Sequence, residues 1–448
     1  MRIGRISQYQ SLTMVVFAAL ILCSCTGKTS DVGEVVSIWH PWMMDIGDDF
    51  LAALELFEKS NPQFDIQALY AANTLSSNQK LFLSIAGGVP PDVTFVDGPQ
   101  VAEWACRGAL EPLDDYIAQA GIEPDDFWEP CWKQTVFDGQ VYALTLVADP
   151  NFGFFWNKEV FRDSGLDPES PPKTLEEMDQ MAAQITRSES ARLTRIGLIP
   201  WSVYGNANSI FTWGWAFGGE FYDPETNKIS ADHPKVVEAL EWMVSYAKQY
   251  DIRKISSLAA GFGSAEQNPF YTGRLGMQPM VVYMLRDIDR YRPDLDYGIT
   301  ILPQPDGGEY NCSWVGGWCL AIPRGAQNPR GAFELIRWLC ASSEGTTLVA
   351  NAIGSTPGYR KSAAFEEARR DPRMRAFVEI LENSRHQRPV MPAQAFYMGE
   401  LERAVDDALF GKKTPQQALA DATARTQKEL DGILERYYER KARRESTE

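Results

Sequence analysis

The chain has 448 residues, of which 44% are hydrophobic and 12% aromatic, so it can bury a substantial core. It carries 43 lysines and arginines against 60 acidic residues, a formal net charge of -17, with no long block of basic residues. This balance excludes the phosphate-binding face that nucleic-acid-binding proteins use, so no nucleic-acid partner is expected. The length predicts two domains rather than one.

Residues 1–24 have the composition of a signal peptide. Two arginines precede the uncharged apolar run Leu12–Leu22, which is shorter than the roughly 20 residues that a membrane-spanning helix needs. The run leads into Leu22–Cys25, which resembles the bacterial lipoprotein box, so Cys25 is predicted to carry a lipid after cleavage. An ordinary signal peptide cut nearby is the alternative, because a cysteine at the second box position is unusual. Both alternatives predict an exported protein.

Residues 25–33 contain mostly Ser, Thr, Gly and Lys and are predicted to be a polar tether between the lipid and the folded body. Removal of the signal peptide takes away two arginines and no acidic residue, so the net charge changes from -17 to -19. The mature protein is therefore strongly acidic, which favours solubility.

The first part of the folded body alternates between strand-type and helix-type patterns. The predicted elements are strand Glu34–Trp39, a helix with Phe50, Leu54 and Phe57 on one face, strand Phe64–Tyr70, helix Asn78–Ala86, strand Val93–Val96 and helix Gln100–Arg107. Alternation at this spacing predicts an α/β fold with a parallel sheet covered by helices.

The rest of the chain is predicted to be richer in helix. Thr174 and Glu177 form a capping box that opens a helix through Ile185. The later predicted elements are a helix over Val236–Ala247, strands Tyr297–Leu302 and Trp318–Ile322, a helix starting at Asn328-Pro329, and mostly helix from Tyr397 onward. The mixed-charge segment Glu435–Glu448 is predicted to be a solvated helix end rather than a docking patch.

Catalytic and metal-binding motifs do not occur in the sequence. Five cysteines follow Cys25, an odd number without CxxC spacing, and Cys106 with Cys131 is the most plausible bridge. Only three histidines occur, without an HExxH motif, so no metal is expected. GxSxG and P-loop motifs are missing too, and no cofactor is expected. Because carboxylates are abundant, the composition does not exclude a general acid and base pair for glycoside hydrolysis, although no particular pair stands out.

Several short motifs follow one another from about Val36 to the C-terminus. They are Phe57–Pro62, Ala86–Val93, Gly108–Asp115, Asp138–Leu144, Gly153–Lys158, Thr174–Glu177, Phe217–Phe221, Tyr297–Ile299, Trp314–Trp318 and Gly411–Pro415. No single motif is specific, but the ordered set resembles the family 1 extracellular solute-binding proteins of bacterial ATP-binding-cassette sugar importers, the group that includes maltose-binding protein. The sequence departs from that family at Trp156, where the family usually has Tyr.

That resemblance implies a two-lobed α/β fold of the class II periplasmic-binding-protein type, with a hinge and a ligand cleft between the lobes. By analogy, the chain crosses between the lobes near 145–149, 314–317 and 354–358. The predicted lobes are about 34–145 plus 318–355 for the first and about 146–317 plus 356–448 for the second.

The resemblance also implies a monomeric, lipid-anchored receptor that is not an enzyme and that captures a carbohydrate by hinge closure. Its permease and ATPase would be separate chains, because no apolar run after residue 24 is long enough to span a membrane. A secreted polysaccharide-active enzyme is the second hypothesis. A surface glycan adhesin that does not transport is the third.

A sugar has C–H patches on its ring faces and hydroxyls at its edge, so its site needs aromatic platforms and planar hydrogen-bonding groups. Ligands of open α/β sheets bind beyond the carboxyl ends of strands, which selects His40, Trp42 and Asp97. Asp97 could instead cap the helix that follows it. The first group of candidates therefore lies at the ends of the first and third predicted strands.

A second group of candidates comes from aromatic clustering and from the family pattern. These residues are Asp149, Trp201, Trp213, Trp215, Tyr283, Trp314, Gly317, Trp318 and Tyr397. Most tryptophans pack in cores, but at least one of Trp213 and Trp215 is expected to face the cleft. Gly316-Gly317 is either a flexible turn or a close approach of backbone to ligand. Trp215→Ala and Tyr283→Ala are each expected to weaken affinity with little loss of fold.

Overall fold

The computed structural model of the chain describes residues 33–72, 75–190, 192–201, 204–259, 265–305 and 312–446. The predicted signal peptide, Cys25 and almost all of the predicted tether lie outside these residues. Among the helices in the described ranges, none is both long and apolar enough to cross a membrane.

The strands are β1 (Glu34–His40), β2 (Phe64–Tyr70), β3 (Val93–Asp97), β4 (Val136–Phe137), β5 (Gln140–Val141), β6 (Leu144–Asn151), β7 (Gly153–Asn157), β8 (Arg187–Glu189), β9 (Arg192–Arg195), β10 (Tyr222–Asp223), β11 (Lys228–Ile229), β12 (Met277–Met280), β13 (Tyr297–Thr300), β14 (Trp314–Ala321) and β15 (Thr356–Pro357). The helices are α1 (Met44–Ser60), α2 (Leu75–Ala86), α3 (Val101–Cys106), α4 (Asp114–Ala120), α5 (Glu129–Lys133), α6 (Lys158–Asp163), α7 (Leu175–Ile185), α8 (Asn206–Ala216), α9 (Pro234–Gln249), α10 (Ile252–Ala259), α11 (Met284–Tyr291), α12 (Pro329–Ala341), α13 (Ser343–Ile353), α14 (Ala364–Ala368), α15 (Arg375–Asn383), α16 (Gln394–Leu409) and α17 (Pro415–Glu445).

The larger sheet has six strands in the order β15-β6-β14-β3-β1-β2. β1 pairs in parallel with β2 and with β3, which confirms the predicted arrangement of the first three strands. β14 lies between β3 and β6 and runs antiparallel to both. The sheet is therefore mixed rather than purely parallel, and β14 starts four residues before the strand predicted at Trp318.

The helix α1 lies on this sheet through its predicted apolar face. Phe50, Leu54 and Phe57 are all buried. The Phe57 ring packs against Trp338 of α12, with ring centroids 5.4 Å apart. The helix ends where the Asn61 backbone N–H donates to the Phe57 carbonyl oxygen. Burying each of these large side chains stabilises the fold by about 1.5–3 kcal/mol. The helices α1 and α12 thus pack against each other beside the sheet.

A second sheet has three antiparallel strands in the order β12-β7-β13. Its central strand, β7, is buried along its whole length. In the helices of this part, Trp213 of α8 packs on Trp242 of α9 with ring centroids 4.8 Å apart. The Trp213 indole N–H donates to the Pro200 carbonyl oxygen at 2.8 Å. The molecule thus has two lobes, each built on its own sheet.

The β6–β14 ribbon connects the two lobes. At one end Leu144 pairs with Leu320 in the six-stranded sheet, and at the other Asn151 pairs with Trp314. The Trp314 indole N–H donates to the Thr212 hydroxyl of α8 at 2.9 Å, which fixes this end of the ribbon to the second lobe. The first two predicted crossings fall within the ribbon.

The segment after β15 packs against the first lobe. The rings of Tyr359 and Phe127 lie 5.8 Å apart, and those of Phe365 and Trp128 lie 5.4 Å apart. The lobe boundary at 355/356 stays a prediction. These contacts place residues 359–365 beside the first lobe, whereas that boundary assigns them to the second.

The helix α17 contacts both lobes. Near its middle, the Gln427 side chain accepts a hydrogen bond from the Ile229 N–H at 2.8 Å. Near its end, the Tyr437 hydroxyl and the Lys441 ammonium both donate to Asp138, which lies between β4 and β5. A helix of 31 residues is about 46 Å long and can reach from one lobe to the other. The end of this helix is mostly exposed, as the prediction of a solvated helix end requires, and Tyr437 and Lys441 attach it to the first lobe.

The described cysteines are buried and form no disulfide bond with one another: Cys106, Cys131, Cys312, Cys319 and Cys340. The disulfide predicted between Cys106 and Cys131 was wrong. Cys106 is the last residue of α3, whereas Cys131 lies in α5, where its carbonyl oxygen accepts a hydrogen bond from the Thr145 hydroxyl. Burial raises the pKa of the Cys106 thiol to about 11. These side chains therefore act as small hydrophobic groups.

Candidate functional site

Two aspartates lie at the carboxyl ends of strands on either side of β14. Trp318 pairs with Asp97, the last residue of β3, and Gly316 pairs with Asp149 in β6. Directly opposed residues share a face of the sheet, and so do residues two apart on one strand. The pairing therefore places Asp97, Asp149 and Trp318 on one face, at the edge where ligands of α/β sheets bind.

An arginine that the sequence analysis did not select completes this group. Arg388 Nη2 lies 2.6 Å from Asp97 Oδ1, and the two side chains are only 12% and 14% exposed. The Arg388 guanidinium also lies over the Trp314 ring, 5.4 Å from its centroid. Its segment is held to β14 because the Val315 N–H donates to the His386 carbonyl oxygen.

The capping role considered for Asp97 was wrong. Asp97 precedes the short 3-10 helix Gly98–Gln100, but its side chain makes no capping hydrogen bond there. The carboxylate is instead bonded to Arg388. Asp97 therefore orients a cationic donor at the end of β3.

Asp149 is a carboxyl group whose surroundings oppose its ionisation. Burial and the nearby charge of Asp97 raise its pKa to about 6, while a hydrogen bond from Ser355 and the charge of Arg388 act in the other direction. The Ser355 hydroxyl donates to Asp149 Oδ1 at 3.1 Å. The group is thus half ionised at about pH 6, well above the ordinary range of an aspartate.

We expect Asp149→Asn to raise the melting temperature of the ligand-free protein at pH 7.5 and to leave it nearly unchanged at pH 4. The pKa is about 6 in the folded state against an ordinary 3.8, so the unfolded chain loses this proton first as the pH rises. Ionisation therefore destabilises the folded state between about pH 4 and pH 6, by up to about 3 kcal/mol. Melting curves of both proteins from pH 4 to pH 8 measure this effect. A difference that does not grow with pH would contradict it.

Tyr283 brings an aromatic ring from the second lobe to this group. It is 37% exposed, more than any other aromatic candidate. The Tyr204 hydroxyl donates to the Tyr283 hydroxyl at 2.6 Å, and the Tyr204 ring stacks on Phe152. Tyr283 also lies beside Gly354, the neighbour of Ser355. The ring is thus held on one side and open on the other.

The candidates at the end of β1 differ in exposure. His40 is buried, with its ring 5.3 Å from that of Phe50, and burial lowers its pKa. The structure therefore does not bring His40 to the surface of the site. Trp42 is half-buried and packs edge-on against Phe95 at 4.6 Å, two residues before Asp97. Trp42 thus lies next to the aspartate group.

Four other candidates are core residues: Trp213, Trp215, Trp314 and Tyr397. The Trp215 ring stacks on His386 at 5.0 Å and on Phe211 at 5.3 Å. The Tyr397 hydroxyl donates to the Phe221 carbonyl oxygen at 3.0 Å. At least one tryptophan of α8 was expected to face the cleft, and in the structure both are buried, as is nearly every residue of that helix. Trp215→Ala would leave a cavity that costs about 3–5 kcal/mol, so a large loss of stability is now expected in place of the small effect on the fold.

Gly317 and Trp201 are the last two candidates for the ligand site. Gly316 and Gly317 lie inside β14, so the flexible turn considered for them was wrong. Gly317 has a φ of +151°, and a Cβ there would lie 1.9 Å from the Val147 carbonyl oxygen. Trp201 is half-buried and packs with Tyr250 against an apolar cluster of the second lobe. Gly317 therefore serves strand packing, and Trp201 packs against both this cluster and the main hydrophobic core.

Among the described residues, no group of three or more His, Cys, Asp or Glu side chains is arranged to hold a metal ion. The site consists of two carboxyl groups, one guanidinium and aromatic rings from both lobes. Such a set can hydrogen-bond and stack on a polar ligand.

Comparison with known proteins identifies the family. A sequence profile of the bacterial extracellular solute-binding proteins matches residues 52–376, most of the chain. The chain belongs to this family. As its name states, this solute-binding family is extracellular, and solute binding rather than catalysis is its common activity.

The similarity to individual solute-binding proteins extends over most of this chain and most of each relative. The maltotriose-binding protein of Pyrococcus abyssi is 23% identical over 414 residues, which cover 91% of this chain and 81% of the relative. The sn-glycerol-3-phosphate-binding periplasmic protein of Salmonella paratyphi A is 23% identical over 421 residues, with 89% and 93% covered. The structure of CpMnBP1 with mannobiose bound matches with a TM-score of 0.77 and 26% identity, covering 88% of this chain and 99% of that chain. The two-lobed α/β fold that the resemblance implied is confirmed.

Proposed function

We propose that this protein is the receptor of an ATP-binding-cassette importer and captures a sugar or short oligosaccharide between its lobes. It then delivers the ligand to a permease and an ATPase that are separate chains. The observation that carries the proposal is the grouping of Asp97, Asp149 and Arg388 with Trp318 and Tyr283. The maltotriose-binding and mannobiose-bound relatives support a saccharide as the ligand.

The chemistry of the group suits a neutral polyol. Carboxylate oxygens accept hydrogen bonds from sugar hydroxyls, and the planar Arg388 guanidinium donates to them. The rings of Trp318 and Tyr283 cover apolar C–H faces. The charge of Arg388 is already matched by Asp97, and Asp149 adds negative charge above its pKa. This balance favours an uncharged saccharide over an anion such as sn-glycerol 3-phosphate.

The side chains proposed to bind the ligand come from both lobes, which supports ligand capture by hinge closure. Trp318 belongs to the sheet of the first lobe, whereas Tyr283 precedes a helix of the second. A ligand that touches both has more contacts when the lobes are closed, so binding shifts the equilibrium towards the closed form. The β6–β14 ribbon is the element that bends in this proposal.

Purified mature protein should be screened with mannobiose, mannotriose, maltotriose and sn-glycerol 3-phosphate by thermal shift and calorimetry. We expect a saccharide to raise the melting temperature, bind with 1:1 stoichiometry and remain unaltered. Tyr283→Ala should weaken its binding about tenfold, whereas Tyr438→Ala, an exposed tyrosine of α17, should not. Release of shorter products would identify an enzyme instead. A radius of gyration that binding leaves unchanged at high as well as at low ionic strength would favour a rigid adhesin.

Export and anchoring through Cys25 complete the proposal, with the protein acting as a monomer at the outer face of the cytoplasmic membrane. Support comes from the signal-peptide composition of residues 1–24 and from the extracellular family. Mass spectrometry of protein extracted from membranes should find a diacylglycerol group on an N-terminal Cys25. A mature chain that starts at another residue would contradict lipid anchoring.

A further inference from the structure

Two helices from opposite lobes meet through paired opposite charges. Asp45 and Asp49 lie one turn apart on α1 of the first lobe, and Arg286 and Arg290 lie one turn apart on α11 of the second. Asp49 Oδ2 is 3.1 Å from Arg286 Nη2, and Asp45 Oδ2 is 2.5 Å from Arg290 Nη1. Residues four apart share a helix face, so each helix presents two charges that match the two on the other.

These helices also carry or adjoin residues of the proposed ligand site. Tyr283 immediately precedes α11, and Trp42 lies two residues before α1. Arg286 donates a second hydrogen bond to the Ala352 carbonyl oxygen of α13, in the first lobe. Its side chain lies beside Gly354, next to Ser355. Movement of α11 away from the first lobe would therefore break the ion pairs and displace the site aromatic together.

The four charged side chains are accessible to solvent. Their exposed fractions are 53% for Asp49, 32% for Arg286, 52% for Asp45 and 54% for Arg290. Asp49 and Arg286 also line a cavity of about 550 Å3 between the lobes. Exposed ion pairs are screened by dissolved salt, so their attraction weakens as the ionic strength rises.

We propose that Asp45, Asp49, Arg286 and Arg290 form an electrostatic clasp that holds the lobes closed and positions Tyr283. This inference rests on the proposed function for its effect on affinity, since Tyr283 belongs to the proposed ligand site. Both pairs break in one motion, so both favour the closed form in the equilibrium between open and closed forms. The clasp makes the affinity for an uncharged saccharide depend on ionic strength, although the ligand itself carries no charge.

The ligand-free protein tests the clasp directly by small-angle scattering at about 20 mM and about 500 mM NaCl. We expect the radius of gyration of the wild type to increase with salt. Asp45→Asn combined with Asp49→Asn should give the larger radius at low salt and respond little to added salt. Asp45→Arg, which faces Arg290 with a like charge, should also open the protein, and adding Arg290→Asp should restore the wild-type radius.

Calorimetry with the saccharide that binds best in the screen above tests the effect on affinity. The double asparagine variant should bind about three- to tenfold more weakly at low salt and lose most of the salt dependence. Glu238→Gln removes an exposed ion pair with Lys235 within α9 and should change neither property. Melting temperatures confirm that each variant is folded.

Equal radii for the wild type at both salt concentrations, with no change in the charge variants, would overturn the clasp. A wild-type salt dependence of affinity that persists in the double variant would also overturn it. If none of the saccharides binds, the proposed function fails while the scattering experiment still decides whether the clasp exists. Restoration by the Asp45→Arg and Arg290→Asp pair separates a charge effect from a general loss of packing.

Discussion

Arg388→Ala is expected to weaken saccharide binding at least tenfold and to lower the free energy of unfolding by about 3 kcal/mol. The charged atoms of Arg388 and Asp97 are 2.6 Å apart, and both side chains are largely shielded from water. Without the guanidinium, the Asp97 carboxylate keeps its desolvation cost and loses its counterion. The charge of Arg388 also lowers the pKa of Asp149, so the variant should raise that pKa further. Both carboxyl groups then become poorer partners for a ligand.

The controls for this prediction separate charge from local packing. Arg385→Ala removes an exposed arginine of the same segment and should leave affinity and stability nearly unchanged. Arg388→Ala combined with Asp97→Asn should recover part of the lost stability, because no uncompensated charge remains, but should not recover binding. Urea denaturation and calorimetry measure the two quantities. A single Arg388→Ala variant that unfolds at the wild-type urea concentration would show that the ion pair has no structural role.

Elements that are specified by residues close together in the chain could be predicted from the sequence. The apolar stripe of α1 is buried as predicted, and Asn328 caps α12 by accepting from the Gly331 N–H. Thr174 accepts from the Glu177 N–H at the start of α7, as the capping box predicted, although the Glu177 carboxylate accepts from Lys173 instead of Thr174. In each case the residues that specify the element lie within one or two helical turns of each other.

Features that depend on distant contacts could not be predicted in this way. Arg388 and Asp97 are separated by 291 positions, and no local pattern connects an arginine in a loop with the end of β3. The first half of β14 contains two glycines, which weaken strand propensity, and it is a strand because β6 pairs with it. Pairing across the sheet thus decides both the position of Trp318 and the conformation of its neighbours.

The aromatic candidates show a third limit of sequence reasoning. Composition places many tryptophans in the second lobe, but their exposure depends on what surrounds each helix. Trp213 and Trp215 lie two residues apart on α8 and would face different sides, yet both are buried, because other elements cover the helix on both sides. Tyr283, chosen from the family pattern, lies at the start of a short helix and keeps its ring partly exposed. Whether a given aromatic residue binds ligand or packs is therefore a property of tertiary structure.

Gly317→Ala is expected to lower the free energy of unfolding by about 3–4 kcal/mol and to weaken ligand binding as well. Gly317 has a φ of +151°, a backbone conformation that residues other than glycine rarely adopt. The new Cβ would also lie 1.9 Å from the Val147 carbonyl oxygen of β6. Either β6 or β14 must move to relieve this contact. The two strands also carry Asp149 and Trp318, so a shift large enough to accommodate the methyl group displaces one of them.

Gly399→Ala is the matched control, because it adds the same methyl group to an exposed glycine inside α16. A Cβ there meets no atom within 4 Å, and alanine favours helix over glycine, so this variant should be more stable than the wild type by about 0.5–1 kcal/mol. Opposite signs for the two substitutions in chemical denaturation would show that the close approach of the strands, not the loss of a glycine, determines the result. Equal stabilities would mean that the strands of the ribbon can separate freely at this point. The ribbon could not then hold Asp149 and Trp318 at fixed positions while the lobes move.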